Sequence, residues 1–235
     1  MTDSIAIIPA RAGSKRIKNK NIKIFYNKPM IYWSIKTAIN SKLFNRVFVS
    51  TDSEKIASVS RKYGAEVPFL RSKLLSNDII SPTEAVRDLL MKLEKQLIKI
   101  NYVCCIYPCS PLILERDLKN TFKRLKSNKD KFIFPVSEYP HPIQRAFTLN
   151  KNDKVIVREK NKIGKRTQDL KNFYHDTGQF YWGEKKSWVK RKDVISNGNG
   201  YIIPSWRSLD IDNENDWIKA ELLFKGIKEI KNFKN

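Results

Sequence analysis

The sequence predicts a single α/β domain, a mostly parallel sheet flanked by helices, with a small β-rich arm inserted late in the chain. Three observations carry that expectation. From Ser4 to Ser137, short apolar runs alternate with stretches of helical periodicity, the pattern of strand–helix units joined by right-handed crossovers. Several of these runs lack polar alternation, as strands buried on both faces require. After about Tyr139 the alternation breaks into prolines and dense charge. The 235 residues are 41% hydrophobic and 11% aromatic, which is ample for one core and excludes a disordered chain.

Ser4–Pro9 reads as the first strand. A polar segment from Ala10 to Lys28 follows, and Pro29 then suits the first turn of a helix. Met30, Trp33, Ile35, Ala38 and Ile39 fall roughly on one face of it. Arg46–Thr51 reads as the second strand. Asp52 or Ser53 can cap the next helix, which runs to about Tyr63 and stops at Gly64. Glu66–Arg71 is a third strand candidate. Ser81-Pro82-Thr83-Glu84 combines an N-cap, a first-position proline and a capping-box glutamate, opening a helix through Leu93 to about Ile98. Val103–Tyr107 is a buried strand closed by Pro108 and Pro111. A helix near Glu115–Lys126 and a strand Phe132–Ser137 complete the regular part. Residues 139–185 read as the arm, within one domain spanning 1–235. Order returns at Tyr201–Pro204, and a final amphipathic helix from about Asn215 to Ile230 carries Trp217, Ala220, Leu223, Phe224 and Ile227 on its apolar side.

Charge narrows the possible partners. Lys and Arg number 46 against 24 Asp and Glu, a formal net charge of +22. Such a chain could meet nucleic acid, a membrane surface or small polyanions. Because lysine is spread along the whole sequence, position says more than the total. No apolar run approaches the roughly 20 residues of a membrane span, and the N-terminus carries no basic-then-apolar leader. Three cysteines, two of them adjacent, make neither a disulfide framework nor a CxxC metal motif. The expectation is a cytoplasmic protein without a membrane partner.

Two segments stand out against this background. Open α/β sheets bind ligands beyond the carboxyl ends of their strands. There, after the first strand, lies Ala10-Arg11-Ala12-Gly13-Ser14-Lys15-Arg16-Ile17-Lys18-Asn19-Lys20-Asn21. Between Ser4 and Thr51 there is no Asp or Glu, while five cations crowd this loop. Small residues at 12–14 let backbone N–H groups approach an anion, and the cations neutralise phosphate. The pattern is not GxxxxGK[ST], which disfavours ATPase-type chemistry. The second segment is Asp210-Ile211-Asp212-Asn213-Glu214-Asn215-Asp216, four acids in seven residues of a basic chain. In extended backbone Asp210 and Asp212 share a side, giving Mg²⁺ the hard oxygen ligands it takes beside phosphate. Alternatively, Asp212 or Asn213 caps the last helix. His141 and His175 are too far apart for a helical zinc motif. No G-x-S-x-G or Cys–His arrangement points to nucleophilic catalysis, and no RNP-like interleaving of aromatic and basic residues appears.

At these residues the chain resembles the CMP-sialic acid synthetase family. Ile8 to Ile17 with Lys20-Asn21-Ile22 is similar to its nucleotide-binding signature. Val49-Ser50-Thr51-Asp52, Tyr63 to Arg71 and Asp210-Ile211-Asp212 agree in order, so the likeness spans essentially the whole chain. Tyr102–Tyr107 and Tyr174–Gly183 resemble the branch that acts on pseudaminic acid. The family loop usually has glycine where Ala12 stands, and a methyl group there requires φ below zero. Tyr107 stands before Pro108-Cys109-Ser110-Pro111 where the sialate branch has Gln before P-T-S-P, which weighs against N-acetylneuraminate.

The resemblance implies a Rossmann-like nucleotidyltransferase fold and a homodimer whose arm reaches the partner's sugar site. It implies a cytidylyltransferase that moves CMP from CTP to the anomeric hydroxyl of a nonulosonic acid, pseudaminic acid first, with legionaminic or N-acetylneuraminic acid as alternatives. Ala10, Arg11, Ser14, Lys15, Lys20 and Asn21 would hold the nucleotide, with Arg71 at the cytosine. Arg11, Lys20 and Asp212 form the expected catalytic set, with Lys20 nearest the α-phosphate. Asp210 and Asp212 would hold Mg²⁺. Arg166 is expected at the sugar carboxylate, with Gln179 and His175 beside it. A nucleic-acid-binding protein is the reading from a different class, and it gives Asp210 and Asp212 no reason to be acidic.

Overall fold

The computed structural model describes residues 3–72, 81–96, 99–128, 131–190 and 193–229. Along them run β1 (Ser4–Pro9), β2 (Ile24–Phe25), β3 (Lys28–Pro29), α1 (Met30–Ser41), β4 (Arg46–Ser50), α2 (Glu54–Lys62), α3 (Pro82–Glu94) and β5 (Tyr102–Ile106). These are followed by α4 (Glu115–Asn128), β6 (Phe132–Glu138), β7 (Phe147–Leu149), β8 (Val155–Val157), β9 (Tyr174–Asp176), β10 (Phe180–Glu184), α5 (Lys185–Val189), β11 (Gly198–Ile202) and α6 (Glu214–Glu229).

The central sheet has the order β11-β6-β10-β5-β1-β4, and β9 pairs with the far end of β6. β1, β4, β5, β6 and β11 run in one direction, while β9 and β10 run against them. The sheet is therefore mixed but mostly parallel. Side chains alternate across it. Ala6, Ile8, Val49, Cys104 and Trp182 face the layer of α1, α2 and α4. Ile5, Ile7, Phe48, Val103 and Cys105 face α3 and α5. Trp182 stacks on Phe122 and Phe44, with ring centroids 4.5 and 5.1 Å away. The apolar runs lacked alternation because both faces are covered.

Capping chemistry sets the helix starts. Ser53 accepts the Ile56 N–H and Ser81 accepts the Glu84 N–H through their hydroxyls. Pro29 departs from expectation. It takes the N-cap position of α1 rather than the first turn and ends β3, which pairs with β2. Ile39 is on the open side of α1, 39% exposed, while Ile31 and Ser34 fill the buried stripe. Glu66–Arg71 forms no continuous strand. It touches the sheet only at the bridges Phe48↔Glu66 and Thr51↔Leu70, since Pro68 between them cannot donate to a ladder. α3 ends at Glu94; the expected end at Ile98 and the expected last residue of α6, Ile230, lie outside the described residues.

The segment read as an arm divides in two. Among the described residues β7 and β8 pair only with each other, and the excursion is closed at its neck by the Tyr139 N–H on Phe173 O at 3.0 Å. Inside, Gln144 Nε2 donates to Lys171 O at 2.7 Å. β9 and β10, by contrast, belong to the main sheet, and β10 lies between β5 and β6. The part outside the sheet is thus residues 139–173 rather than 139–185.

Candidate active site

The parallel strands place their carboxyl ends on one edge, and the antiparallel β10 starts from that edge. The loops after β1, β4, β5 and β11, together with the β9–β10 turn, therefore converge there, as expected for ligand sites of open α/β sheets.

The basic loop after β1 is tied down at several points. Ala10 continues the ladder by donating to Ser50 O at 2.9 Å, and the Ala12 N–H donates to Asp52 Oδ1 at 2.9 Å. Ala12 is not among the positive-φ residues, so its methyl group meets no backbone strain. Nothing lies within 4 Å of a Cβ built on Gly13, which leaves room beside the loop tip. Asn19 adopts a left-handed φ of 55°, which asparagine tolerates, and opens the single 3-10 turn Lys20–Ile22. That turn buries Asn21, whose Nδ2 donates to Arg11 O at 2.8 Å and whose Oδ1 lies 3.2 Å from Cys109 Sγ. Burial pushes the Cys109 thiol up to about 12. It is a protonated donor to Asn21, not a thiolate.

Opposite the loop stands the acidic segment. Ile211 is fully buried and packs in one cluster with Ile17 of the basic loop, Phe25, Leu112 and the α6 residues Trp217 and Phe224. With Ile211 turned inward, alternation turns Asp210 and Asp212 outward. Asp212 Oδ1 is 2.8 Å from Arg16 Nη2 and 3.7 Å from Lys20 Nζ, and Lys20 also donates to Ile211 O at 2.5 Å. The capping alternative is resolved by geometry. Asn213 Oδ1 accepts the Asp216 N–H at 3.0 Å, while Asp216 Oδ2 accepts the N–H groups of Asp212 and Asn213 at 3.0 and 3.1 Å. Asn213 and Asp216 form the capping box, which leaves the Asp212 carboxylate to the basic loop. Desolvation, then the charge of Asp212, raises the Asp210 carboxyl above the usual range, with Asp176 adding to the effect.

Asp210 and Asp212 are two carboxylates at this edge that could hold a divalent cation. Among the described residues no group of three or more His, Cys, Asp or Glu is arranged around a metal position. Two suffice for Mg²⁺, which commonly takes one or two protein carboxylates and completes its shell with phosphate oxygens and water. The donor set fits a substrate-borne Mg²⁺ and not an all-protein cage.

Next to the carboxylates, between the start of α3 and the β9–β10 turn, lies a cavity of about 400 Å³. Tyr107, Asp176 and Tyr181 line it on the sheet side, Ser81 and Glu84 at the α3 N-terminus, and Ile195 across from them. The Tyr181 hydroxyl donates to Asp176, and it also bonds the Tyr107 hydroxyl. Burial raises the pKa of both tyrosines, so each stays a neutral hydroxyl. Gly178 links the cavity to the carboxylates. Its φ of +61° suits glycine, and a Cβ there would lie 3.5 Å from the Asp210 carboxyl group.

The structure brings together most of the residues singled out from sequence. Arg11, Ser14, Lys15, Lys20 and Asn21 belong to the loop, and Asp210 and Asp212 face it. Arg71 joins the same edge: its N–H donates to Thr51 O at 2.7 Å. Its buried guanidinium is lowered from its ordinary value by desolvation and feels Asp52, Asp88 and Arg11. Three residues fall elsewhere. Gln179 is 2% exposed and points away from the cavity, donating Nε2 to Arg207 O at 2.5 Å. His175 precedes the cavity residue Asp176 but turns its ring against Tyr139, with Nδ1 2.8 Å from Asp176 O. Arg166 is exposed on the arm, before the 3-10 turn Thr167–Asp169. Asp52 and Cys109, which hold the loop, were not singled out as site residues from sequence, where Asp52 was read as a candidate cap of α2 and as part of the Val49–Asp52 run.

Comparison with known proteins agrees with this geometry. Residues 5–200 match the Cytidylyltransferase family. A pseudaminic acid cytidylyltransferase of Campylobacter jejuni (strain 81-176) is 40% identical over 223 residues, 94% of this chain and 96% of that protein. A CMP-N,N'-diacetyllegionaminic acid synthase of Legionella pneumophila is 29% identical over 229 residues, covering 94% of this chain and 96% of its own length. Among solved structures, a CMP:2-keto-3-deoxy-manno-octonic acid synthetase complexed with CTP superposes with a TM-score of 0.71 at 15% identity, over 95% of this chain and 99% of that one. That likeness shows the same fold. With the family model matched over residues 5–200 and a 40% identical relative aligned along 94% of this sequence, the chain belongs to the cytidylyltransferase family.

Proposed function

We propose that this protein transfers CMP from CTP to the anomeric hydroxyl of pseudaminic acid, a nonulosonic acid, releasing pyrophosphate. The observation that carries the reading is the contact of Arg16 and Lys20 with Asp212 at the carboxyl edge, with Asp210 near Tyr107 and Asp176 of the 400 Å³ cavity. Cations for a triphosphate, carboxylates for its metal and a pocket for an acceptor meet at one place. Relatives that bear the pseudaminate name at 40% identity support the choice of acceptor.

In this reading Arg11, Ser14, Lys15, Lys20 and Asn21, with the backbone from Ala10, hold the triphosphate, and Arg71 holds the cytosine. The acceptor hydroxyl attacks the α-phosphorus in line. The new O–P bond forms as the α–β P–O bond breaks, and pyrophosphate leaves with the electron pair. Asp212 helps take the hydroxyl proton. Asp210 and Asp212 would hold Mg²⁺, which would supply Lewis-acid neutralisation of the phosphate charge. Arg16 and Lys20 balance Asp212 in the free protein and turn to phosphate oxygens in the complex, so little reorganisation is needed at the moment of reaction. Tyr107, Tyr181 and Asp176 offer the sugar hydroxyl groups and a carboxylate for its hydroxyl and acylamino groups.

The same reading includes a homodimer. β7 and β8 expose Phe147, Leu149, Val155 and Ile156, each at least half exposed, and a second copy would cover them. Arg166, on this arm, would then reach the sugar carboxylate of the partner's site. CTP as substrate and unpaired cysteines agree with the cytoplasm. No described helix is long and apolar enough to cross a membrane. The loop cations are given to a triphosphate, which leaves nucleic acid no part in the function.

The test is pyrophosphate release. CTP, Mg²⁺ and pseudaminic acid together should give release matched by a CMP-sugar, with none when any one is left out. A folded protein that releases none would sink the reading. Phe147→Glu/Ile156→Glu should sediment as a monomer, and Arg166→Ala should raise KM for the sugar acid far more than for CTP.

A further inference from the structure

Behind the paired carboxylates lies a buried polar node that the proposed chemistry does not use. Arg207 and Asp117 are each 1% exposed and form an ion pair through Arg207 Nη1 and Asp117 Oδ2. Asp117 belongs to the first turn of α4, and its other oxygen lies 3.5 Å from the Tyr201 hydroxyl of β11. Arg207 ends the 3-10 turn Ser205–Arg207, three residues before Asp210. Gln179, the residue before β10, donates Nε2 to the Arg207 carbonyl at 2.5 Å. One node thus joins α4, the β9–β10 turn and the segment that carries both carboxylates.

We propose that Asp117, Arg207 and Gln179 are positioning residues that fix Asp210 and Asp212 against the basic loop and the cavity, and so set the metal site; this rests on the reading of those carboxylates as metal ligands.

β11 ends at Ile202, and α6 begins at Glu214. Between them the chain has no strand partner after the Ile203 N–H, which donates to Val136 O at 2.9 Å. Ile211 then anchors it in the α6 cluster, and Asn213 caps the helix. Leu209 packs against that same cluster, and the Arg207 side chain is what ties the 3-10 turn before it to α4. Stability alone is a weak reason to keep such a pair. Burying two ions is costly, and apolar replacements of similar shape are often neutral or stabilising. Arg207 Nε and Gln179 Oε1 are themselves buried without a hydrogen-bond partner, a further cost that an apolar node would avoid. What an apolar node would not supply is a directional hold on one backbone position. Gln179 adds to this because it leads directly from Gly178, against which Asp210 packs. The same bonds therefore set the carboxylates relative to the cavity as well as to the loop.

The test is the double variant Asp117→Leu/Arg207→Met, which removes both charges together. Three readings are taken: thermal unfolding, hydrogen–deuterium exchange of the peptide covering 204–213, and the Mg²⁺ concentration giving half-maximal pyrophosphate release. The expected result is unfolding close to wild type, at least tenfold faster exchange at 208–212, and a Mg²⁺ requirement raised about ten- to hundredfold, the usual cost of losing an outer support of a metal ligand. A variant that unfolds like wild type with unchanged exchange and unchanged Mg²⁺ requirement would overturn the proposal and leave the pair a packing element. Should the double variant fail to fold, Gln179→Met decides by the same two readouts, because it removes only the bond to the Arg207 carbonyl. If Asp212→Ala leaves the Mg²⁺ requirement of the enzyme unaltered, the metal reading is what fails, and exchange at 208–212 still decides whether the node holds the segment.

Discussion

Replacing Asp212 by asparagine separates the chemistry of the site from the stability of the fold. The substitution keeps shape and one acceptor oxygen but removes the charge that faces Arg16 and Lys20. In the free protein the loss is small. The Arg16–Asp212 pair spans 2.8 Å, but its side chains are 67% and 38% exposed, and ion pairs of that exposure contribute about 0–1 kcal/mol. For a chain of this length 1 kcal/mol moves Tm by roughly 2–4 °C. The capping box is untouched, since it uses only the Asp212 backbone N–H. In the reacting complex the loss is large. If Asp210 and Asp212 hold Mg²⁺ as proposed, one of its two protein ligands goes, at a cost of several kcal/mol of transition-state stabilisation. Taking about 4 kcal/mol, kcat should fall roughly a thousandfold. The assay is steady-state pyrophosphate release at saturating CTP and sugar acid, with Tm measured on the same preparation. A kcat within tenfold of the parent would refute the assignment. A fall in Tm beyond about 10 °C would show that activity was lost through the fold.

Three further expectations follow from particular contacts. Asp52→Ala removes the acceptor of the Ala12 N–H; a hydrogen bond to an exposed carboxylate contributes about 1 kcal/mol, so KM for CTP should rise roughly fivefold with kcat nearly constant, and a larger effect on kcat would place Asp52 in the chemistry. The thiols of Cys104 and Cys105 are raised by burial and that of Cys109 is held at about 12. Folded protein at pH 8 should therefore give no fast thiol equivalent with a disulfide reagent and three after unfolding; one fast equivalent would contradict the placement of Cys109. Gly183→Ala puts a methyl group 2.5 Å from the Phe132 ring and 2.8 Å from Trp188 Nε1 in the middle of the sheet. Overpacking of this kind costs about 1–3 kcal/mol, and an unchanged Tm would mean that β10 is looser than described.

The site was legible because its parts are local. A cation-rich loop directly after a buried strand, and D-I-D before an amphipathic helix, can each be read in a window of ten residues. Their meeting follows from Ile17 and Ile211 sharing one cluster. β10 was harder to see, because Phe180–Glu184 pairs with two strands that both lie far earlier in the sequence, β5 and β6, and nothing local distinguishes a central strand from one in an arm. Its dense surroundings of lysine and aspartate suggested a solvated insertion, and only residues 139–173 are one. Gln179 misled for a related reason. Asp176 and Tyr181 on either side of it line the cavity, but Gln179 is buried just before β10 with its amide on a carbonyl 28 positions away. The Arg207–Asp117 pair had no signal at all, since two ordinary charges 90 residues apart acquire meaning only when both are buried.

The central claim is that the cavity beside Asp210 takes pseudaminic acid as acceptor for CMP. The most direct measurement is kcat/KM for pyrophosphate release from CTP and Mg²⁺ with pseudaminic, legionaminic and N-acetylneuraminic acids in parallel. The account predicts pseudaminic acid ahead of both others by at least tenfold. Equal or greater turnover with either of the other two would contradict it, keeping the nucleotide chemistry and removing Tyr107, Asp176 and Tyr181 as the residues that select this sugar.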